Sequence, residues 1–191
     1  MDYISLNGPT YFLRTLQKTD VSESYLKWLN DPEINQCLEV RFETHSLESL
    51  RKWVEQFDNV NKFLFGIYTT KDNKFIGTMT LVRTLNPRHG LATFGYLIGD
   101  NQFWGKGAAM AGIELLLDYA FHHLGIRKVC GGAYETNVAS LFNCKKLGMQ
   151  EEGRLRAHIL FEGQYIDQVL FGILKTDWEQ RRRPSLFYAK H

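Results

Sequence analysis

The stretch QFWGKGA, residues 102–108, is the part of the sequence that most constrains the fold. It follows an apolar segment of strand-like composition, residues 91–98, and precedes a segment in which apolar side chains recur at helical spacing. Gly105 and Gly107 let a ligand approach the backbone closely, and the amides and dipole at a helix start bind anions. We therefore predict a strand, a pyrophosphate-binding loop and a long helix, with Lys106 as a point charge near the phosphates.

Other phosphate-binding loops fit this stretch less well. A Walker A loop carries Ser or Thr after its Lys, whereas Lys106 is followed by Gly107. A dinucleotide fingerprint would place a third glycine where Met110 stands, and an acidic residue ~20 positions further on. Glu135 lies 28 residues after Gly107. For this stretch alone, a tight loop whose glycines serve only the backbone geometry remains an alternative.

The segments around the loop predict a mixed sheet with inserted helices. Alternating or apolar runs bounded by turns predict seven strands, at residues 11–16, 63–69, 75–82, 91–98, 128–134, 149–160 and 165–174. Capping residues and helical spacing predict helices from Asp20 to about Trp28, from Ser46 to about Phe57, and at 109–124 and 138–147. This order predicts one α/β (α+β) domain over residues 1–191, with a mainly antiparallel sheet, a core at 11–174 and a C-terminal tail at 175–191.

The composition excludes several classes of protein. Of the 191 residues, 44% are hydrophobic and 14% aromatic, enough for a sizeable core, and the formal net charge is only +2. Nucleic-acid-binding proteins concentrate basic residues on one face, and the one basic run, residues 181–183, is better explained as a solvated helix end. No apolar stretch approaches the ~18 to 20 residues of a membrane span, and the first residues lack the pattern of a secretory signal.

The cysteines point to a reducing compartment. Cys37, Cys130 and Cys144 make an odd number and lack metal-ligand spacing. Reduced thiols in a cytoplasmic enzyme are the simplest explanation. The sequence therefore predicts neither a metal site nor a disulfide framework.

A second motif extends the first. The loop at 102–108 has the pattern Gln-x-x-Gly-x-Gly-Ala, and further on Asn137 is followed by Ser140 and then by Lys146-x-Gly148. Asn137 and Gly148 are 11 positions apart. Both motifs, in this order and on these elements, resemble those of the GNAT superfamily of N-acetyltransferases. The resemblance covers nearly the whole chain. Residues 25–33 and 163–167 are similar to the ribosomal-protein N-terminal acetyltransferases and to their relatives in bacterial surface-glycan synthesis.

The resemblance implies a site for acetyl-CoA between the fourth and fifth predicted strands, which would splay apart at a bulge. Amides of residues 102–108 would hold the pyrophosphate, and a backbone N–H of strand four would stabilise the oxyanion. Lys146 would lie near the adenosine phosphates or, equally, be a solvated helix lysine. The backbone of Tyr96, Leu97 and Ile98 would pair with the pantetheine arm, which Asn137 would also contact. The residues implied at the phosphates are Gln102, Gly105, Lys106, Gly107, Ala108 and Lys146. The N–H at the oxyanion would be that of Leu97 or Ile98.

The residues that move protons are less well defined. Many family members place a tyrosine seven residues after the motif asparagine to protonate the leaving thiolate, and this chain has Cys144 there. A thiol, with an unperturbed pKa of ~8.5, has a proton to give, but a small buried helix residue is an alternative explanation. Tyr134 is another candidate donor. Glu135, at the end of the fifth predicted strand, is the first candidate for the general base, with Glu39, His89, His158 or water as alternatives.

The acceptor is expected to meet residues 35–42, which follow the first helix. There, Arg41 is predicted to pair with a diphosphate, and Glu39 to hold an ammonium group or sugar hydroxyls. A surface pair between these two side chains explains them equally well. Three functions stay open: acetylation of an amino sugar, preferably nucleotide-linked; acetylation of a protein N-terminus or another small amine, polyamines included; and a non-catalytic acyl-CoA-binding regulatory module. The sequence leaves open whether the chain forms a homodimer.

Overall fold

The computed structural model describes residues 3–84 and 86–181, which contain eight strands and six α-helices. The strands are β1 (Ser5–Asn7), β2 (Tyr11–Thr15), β3 (Lys62–Thr69), β4 (Phe75–Arg83), β5 (Leu91–Ile98), β6 (Lys128–Tyr134), β7 (Gln150–Phe161) and β8 (Gln164–Leu174). The helices are α1 (Glu23–Asn30), α2 (Pro32–Asn35), α3 (Leu47–Val54), α4 (Ala108–His122), α5 (Val138–Lys146) and α6 (Lys175–Arg181).

All eight strands belong to one sheet, in the order β1-β2-β3-β4-β5-β6-β8-β7. Only β5 and β6 run parallel to each other, and every other neighbouring pair is antiparallel. Parallel neighbours need a crossover connection, which the 15-residue helix α4 supplies. The predicted mixed, mainly antiparallel sheet with one central crossover is therefore confirmed.

The prediction of seven strands was one short. β1 pairs with β2 in antiparallel register from Ser5↔Arg14 to Asn7↔Phe12, and the backbone N–H of Ile4 donates to Thr15 Oγ1 at 3.0 Å. A strand of three residues is too short to show a period of two. The pairing with β2 therefore defines β1, and the local sequence does not.

The first helix begins two residues later than predicted. Asp20 is not its cap, because its carboxylate accepts from the backbone N–H of Gln17 at 2.8 Å and pairs with Arg14 at 3.0 Å. Ser22 caps α1 instead and accepts from the N–H of Tyr25 at 3.3 Å. The Asp20 carboxylate instead belongs to the capping box of the short 3-10 helix Lys18–Asp20, which precedes α1.

The sheet separates two apolar clusters. Side chains of adjacent strand residues point to opposite faces, so Leu13 joins the cluster under α4 and α5, and Phe12 packs against the cluster under α1 and α3. In β5 the same alternation places Tyr96 and Ile98 on the α4 and α5 side and Leu97 on the α1 and α3 side. We call these two sides the α5 face and the α1 face.

The chain ends beyond α6, where the structure describes only part of the predicted tail. Residues 175–181 form α6, and Trp178 of this helix is buried against Asp118, to which its indole N–H donates at 2.9 Å. The predicted basic run at 181–183 lies mostly outside the described residues. Within residues 3–84 and 86–181, no helix is both long and apolar enough to cross a membrane.

Candidate active site

The sheet is open between β5 and β6. The two strands pair over only three positions, the last of which is Thr93↔Cys130. Beyond that point β5 continues to Ile98 and β6 to Tyr134, each still paired on its other edge, with β4 and β8 respectively. The predicted divergence of these strands is confirmed, and it leaves backbone groups of both strands without a partner strand.

A glycine accompanies the divergence in place of the expected bulge. In β4 and β5, which are both fully described, the register runs without a shift up to Gly77↔Ile98, so the expected bulge is not found. At the first unpaired position, the ring of Phe94 packs over Gly131 of β6, where a Cβ would lie 2.8 Å from the ring. The glycine thus makes room for the ring where the strands separate.

The direction of the backbone groups in β5 follows from its pairing with β4. The N–H of Gly99 donates to the carbonyl of Ile76 at 2.9 Å, and residues of an antiparallel strand point alternately toward and away from the partner. The backbone of Leu97 is therefore turned toward β4, whereas Tyr96 and Ile98 turn their backbone groups toward the opening. The carbonyl of Ile98 accepts from the indole N–H of Trp104 at 2.8 Å.

The loop before α4 presents unpaired amides. Gly105 and Gly107 have φ values of 71° and 79°, which a residue with a Cβ rarely adopts. A Cβ at either glycine would meet nothing within 4 Å. Within the described residues, the N–H groups of Gly105 and of residues 107–110 have no acceptor, and the first helical bond runs from Ala111 to Gly107 at 3.0 Å. Open space beside several free amides at a helix start fits a pyrophosphate.

Other amides of the predicted loop are already used. The N–H of Gln102 donates to Asp100 Oδ1 at 3.0 Å, and that of Lys106 donates to the carbonyl of Phe103 at 3.3 Å. Both side chains are exposed, and Lys106 Nζ lies 5.6 Å from the centroid of the Phe103 ring. The free amides of the predicted cradle at 102–108 therefore lie in its second half, and they continue from Ala108 into the first turn of α4.

The remaining predicted cofactor residues lie at the two ends of α5. Asn137 caps this helix, and its Oδ1 accepts from the N–H of Ser140 at 3.0 Å. Lys146 is the last residue of α5 and is exposed, while its carbonyl accepts from Arg181 at 3.2 Å. The contacts predicted for Asn137 and Lys146 with the cofactor stay predictions.

A hydroxyl cluster on the α5 face joins β5 to α5. The hydroxyl of Tyr96 lies 2.8 Å from Ser140 Oγ and accepts from Asn143 Nδ2 at 3.1 Å. Burial raises the pKa of Tyr96, and the hydrogen bonds from Ser140 and Asn143 oppose that shift. This cluster therefore ties the unpaired half of β5 to α5 on the α5 face.

Cys144 lies next to this cluster but is enclosed in the core. Its side chain belongs to the apolar cluster of the α5 face and is 5% exposed. Burial raises the pKa of the thiol to about 11. A thiol that is both enclosed and weakly acidic is poorly placed to give a proton to a ligand, although its predicted role as donor stays untested.

Glu135, the first candidate for the general base, is held by the hairpin of β7 and β8. One carboxylate oxygen accepts from the backbone N–H of Asp167 at 2.8 Å, and the other from Arg154 at 3.2 Å. Both oxygens thus have partners, and the side chain ties the end of β6 to this hairpin. Its predicted role as base stays a prediction.

The histidine alternatives for the general base, His89 and His158, both have exposed side chains. His89 is exposed in the turn before β5, at the paired end of that strand. His158 is exposed in β7, within a register shift between Leu155 and Ile159. The structure thus places His89 away from the opening, and the roles of both histidines stay predictions.

On the α1 face, a tyrosine and a glutamate meet at the end of the opening. The hydroxyl of Tyr134, the last residue of β6, donates to Glu39 Oε1 at 2.5 Å. Tyr134 is buried and Glu39 is exposed. Burial raises the pKa of Tyr134, and the contact with the Glu39 carboxylate raises it further. The hydroxyl therefore stays protonated, and Glu39 keeps a second oxygen for a ligand.

Arg41 connects three parts of the chain. Its guanidinium donates to the carbonyl of Gln36 at 3.1 Å, to the hydroxyl of Tyr134 at 2.9 Å and to the carbonyl of Leu160. The group lies 5.8 Å from the centroid of the Phe161 ring. These bonds reach the segment after α2, the end of β6 and the tip of the β7–β8 hairpin. Arg41 therefore acts as a brace between these three parts.

A groove of about 530 Å³ lies beside this brace. Side-chain amides, carboxylates and two phenyl rings dominate its lining, which comprises Asn30, Pro32, Asn35, Gln36, Arg41, Phe42, Glu43, Thr44, Phe161 and Glu162. The predicted acceptor segment at 35–42 thus does border a cavity. The structure adds the hairpin tip at 161–162 as its other wall.

Sequence reasoning missed two contacts of this site. Asn143 received no role, although its spacing of three from Ser140 places both side chains on one side of α5. Phe161 was assigned only to a turn, and nothing local in the sequence indicates that it packs against Tyr134 at a ring centroid distance of 6.1 Å. The first contact could have been found from helical spacing, and the second depends on the tertiary fold.

Comparison with known proteins identifies the family. A model described as "Acetyltransferase (GNAT) domain" matches residues 11–150. The chain belongs to the GNAT acetyltransferase family. The Bacillus subtilis protein named "Probable N-acetyltransferase YjcK" is 30% identical over 181 residues, which cover 92% of this chain and 99% of that protein. The chain is thus an N-acetyltransferase that transfers an acetyl group to an amine, and enzymes of this family use acetyl-CoA.

Further relatives show how widely the acceptors differ within this family. The ribosomal protein uS5 alanine N-acetyltransferase of Escherichia coli is 25% identical over 150 residues, covering 75% of this chain and 76% of that enzyme. The solved structure of spermidine N-acetyltransferase from Vibrio cholerae, in complex with CoA and spermine, superposes with a TM-score of 0.78 at 24% identity, covering 88% of this chain and 98% of that one. The predicted relation to ribosomal-protein acetyltransferases is supported. Neither name mentions an amino sugar.

Proposed function

We propose that this N-acetyltransferase acts on the primary amine of an amino sugar, which it binds on the α1 face of the opening. The observation that carries the proposal is the polar groove beside Arg41. The exposed side chains of Glu43, Thr44 and Glu162 in its lining offer two carboxylates and a hydroxyl, which bind sugar hydroxyls. The rings of Phe42 and Phe161 offer apolar surface for the carbon face of a sugar.

In this proposal, Glu39 receives the amine. Its Oε1 is fixed by the Tyr134 hydroxyl at 2.5 Å, which leaves Oε2 to bind an ammonium group. Glu39 is then also the residue that takes the proton the amine must lose before it attacks. Glu135 is less suited to this role because Arg154 and the N–H of Asp167 already engage its two oxygens.

Arg41 has a different role from the one that the sequence suggested. Binding a diphosphate would require it to give up hydrogen bonds to Gln36, Tyr134 or Leu160. We infer that Arg41 shapes the groove and does not bind the ligand. A nucleotide on the sugar therefore adds little to recognition in this proposal.

Acetyl-CoA supplies the acetyl group as a thioester, and the unpaired backbone groups support a site for it. The free amides of Gly105 and residues 107–110 suit the pyrophosphate, and the backbone groups of Tyr96 and Ile98 suit the pantetheine arm. Of the two amides considered for the oxyanion, that of Ile98 fits better, since Leu97 is turned toward β4. One such donor is worth ~10²- to 10³-fold in acyl-transfer enzymes.

A second candidate acceptor is a protein N-terminus. The 25% identity with the uS5 alanine N-acetyltransferase favours it, and an open groove also admits a peptide. The two candidates differ in what must fill the groove: hydroxyl groups on a ring, or the backbone and side chains of the first residues.

The deciding experiment is a thiol-release assay with acetyl-CoA over a matched set of amines. The set comprises glucosamine, a nucleotide-linked amino sugar, an alanine-initiated peptide and spermidine. We expect the highest kcat/KM for the amino sugars, equal within about threefold with and without the nucleotide. Preference for the peptide would establish the second candidate, and no turnover of either sugar would refute the first.

A further inference from the structure

The opening between β5 and β6 passes through the sheet and has different chemistry at its two faces. On the α1 face lie the Glu39 carboxylate and the Tyr134 hydroxyl. On the α5 face lie the hydroxyls of Tyr96 and Ser140, 2.8 Å apart. The anionic end suits an incoming ammonium group, and the hydroxyl end suits a group that needs a proton.

The reaction has such a group, because the departing thiolate is an anion. The amine adds to the thioester carbon from outside the plane of the acyl group, and the sulfur leaves when the tetrahedral intermediate collapses. Because the free amides proposed for the pyrophosphate lie at the start of α4, on the α5 face, the pantetheine arm reaches the carbon from that face. With the amine on the α1 face, the sulfur therefore lies toward the α5 face. Tyr96 is the β5 residue whose backbone borders the opening and whose side chain crosses to α5.

The surroundings of the Tyr96 oxygen suit a proton donor. Asn143 Nδ2 donates to this oxygen at 3.1 Å, and Ser140 Oγ lies 2.8 Å away. Both groups stabilise the oxygen after it has lost its proton, since each is able to donate to a phenolate. Cys144 has no such support, because its raised pKa has burial as the only cause.

We propose that Tyr96 is a catalytic residue that gives its hydroxyl proton to the departing sulfur. The C–N bond forms and the C–S bond breaks, and the sulfur takes the phenolic proton to become a thiol. The Tyr96 oxygen recovers a proton from solvent, and the proton lost by the amine goes to Glu39 or water. Ser140 and Asn143 are positioning residues that act through Tyr96. The inference rests on acetyl-CoA occupying the opening as proposed above.

The first test is turnover by Tyr96→Phe, which removes one oxygen and keeps the ring. General acids contribute typically 10²- to 10⁴-fold, so kcat should fall about 100-fold or more while the KM for acetyl-CoA changes less than about threefold. The matched control is Tyr119→Phe, because Tyr119 is a half-buried tyrosine of α4 that packs on Phe63 and Phe65, away from the opening. An unchanged kcat in Tyr96→Phe would overturn the proposal.

The second test does not depend on turnover. Calorimetry measures the ratio of CoA to acetyl-CoA affinity between pH 7 and 9.5. The thiol of CoA ionises near the ~8.5 typical of a thiol, whereas acetyl-CoA has no thiol to ionise. A donor aimed at the sulfur favours the bound thiolate. In the native enzyme the ratio should therefore rise with pH up to the pKa of the free thiol and level off above it, and in Tyr96→Phe it should stay flat.

The outcomes separate the two levels of the proposal. A ratio that stays flat in the native enzyme, or rises equally in Tyr96→Phe, would overturn the role of Tyr96 even if acetyl transfer is normal. A native protein that binds neither CoA nor acetyl-CoA would instead refute the proposed cofactor site. A loss of packing alone would weaken the binding of CoA and of acetyl-CoA equally and leave the ratio of their affinities unchanged.

Discussion

The two halves of the site are built in different ways. The half proposed for acetyl-CoA consists mainly of backbone: the free amides of Gly105 and residues 107–110 and the unpaired edge of β5. The acceptor half consists of side chains from separate segments, with Glu39 and Arg41 on the turn after α2, Tyr134 on β6 and Phe161 at the hairpin tip. A backbone site is fixed by the fold and suits a ligand shared by a whole family. A side-chain site changes with single substitutions, which fits the variety of acceptors named among the relatives.

The largest expected effect is on the backbone half. Gly107→Gln puts a side chain into the open space beside the free amides and strains a φ of 79°. Losing the approach of the phosphates to these amides, about 3 kcal/mol, should weaken acetyl-CoA binding ~100-fold. Calorimetry measures the affinity, and circular dichroism shows whether the fold persists.

Gly125→Gln is the matched control for this substitution. Gly125 also has a positive φ, 66°, and open space around it, but it stands after the far end of α4. It should therefore bear the same backbone strain and keep its affinity for acetyl-CoA. Equal losses in both variants would mean that strain, and not the loop, controls binding.

The second-largest effect is expected when a charge is removed from the half proposed for the acceptor. Glu39→Gln keeps the size of the side chain and loses the charge that we propose binds the ammonium group. A charge-assisted hydrogen bond is worth about 1.5 to 3 kcal/mol, so kcat/KM for the amine should fall about ten- to a hundred-fold. Acetyl-CoA affinity should stay within about twofold of native, because the amides before α4 are untouched. A loss of acetyl-CoA affinity as large as that of kcat/KM would break the division into two halves.

A smaller effect distinguishes a brace from a ligand contact. Arg41→Ala removes the bonds to Gln36, Tyr134 and Leu160, so the groove should loosen and KM should rise about three- to tenfold for every acceptor. The exposed Arg51 of α3 provides the control substitution. Steady-state kinetics with free and nucleotide-linked amino sugars distinguish the two roles of Arg41. A rise in KM confined to the nucleotide-linked substrate would support a contact between Arg41 and the diphosphate.

The smallest effect is expected where the sequence placed the base. Glu135→Gln weakens the ion pair with Arg154, in which the Glu135 side chain is 36% exposed and the Arg154 side chain 41%. Such an exposed pair contributes ~0.2 to 1 kcal/mol to the free energy of unfolding. Thermal unfolding should show a decrease of a few degrees at most. Since we assign the base to Glu39, kcat should fall less than about threefold, and a fall of about 100-fold or more would return that role to Glu135.

The sequence predicted the strand, the glycine loop and the helix of the backbone half because these elements depend on local rules. A positive φ favours glycine, so Gly105 and Gly107 are visible in the sequence itself, and the strand before them and the helix after them have clear periodicity. β1 was missed because three residues that pair only with β2 carry no such signal. The cap of α1 was misplaced because Asp20 instead binds the N–H of Gln17 and the guanidinium of Arg14, and the pair with Arg14 depends on the fold.

The acceptor half could be predicted only in part. The segment that contains Glu39 was identified, but its partner Tyr134 lies 95 positions away. The sequence predicts a ligand for Arg41, and the structure shows its guanidinium bonded to Tyr134 and Leu160, contacts that no local pattern indicates. A carboxylate in the sequence shows what chemistry is available, and only the fold shows whether its oxygens are already engaged, as for Glu135.

Amide hydrogen exchange at the start of α4 tests most directly whether the opening and its free amides receive acetyl-CoA. Without ligand, the N–H groups of Gly105 and residues 107–110 should exchange fast, since they have no acceptor within the described residues. At saturating acetyl-CoA these amides and that of Ile98 should become protected by about tenfold or more, while the exposed hairpin turn at 162–163 should not change. Protection confined to other segments, with residues 105–110 exchanging as before, would contradict the proposed site.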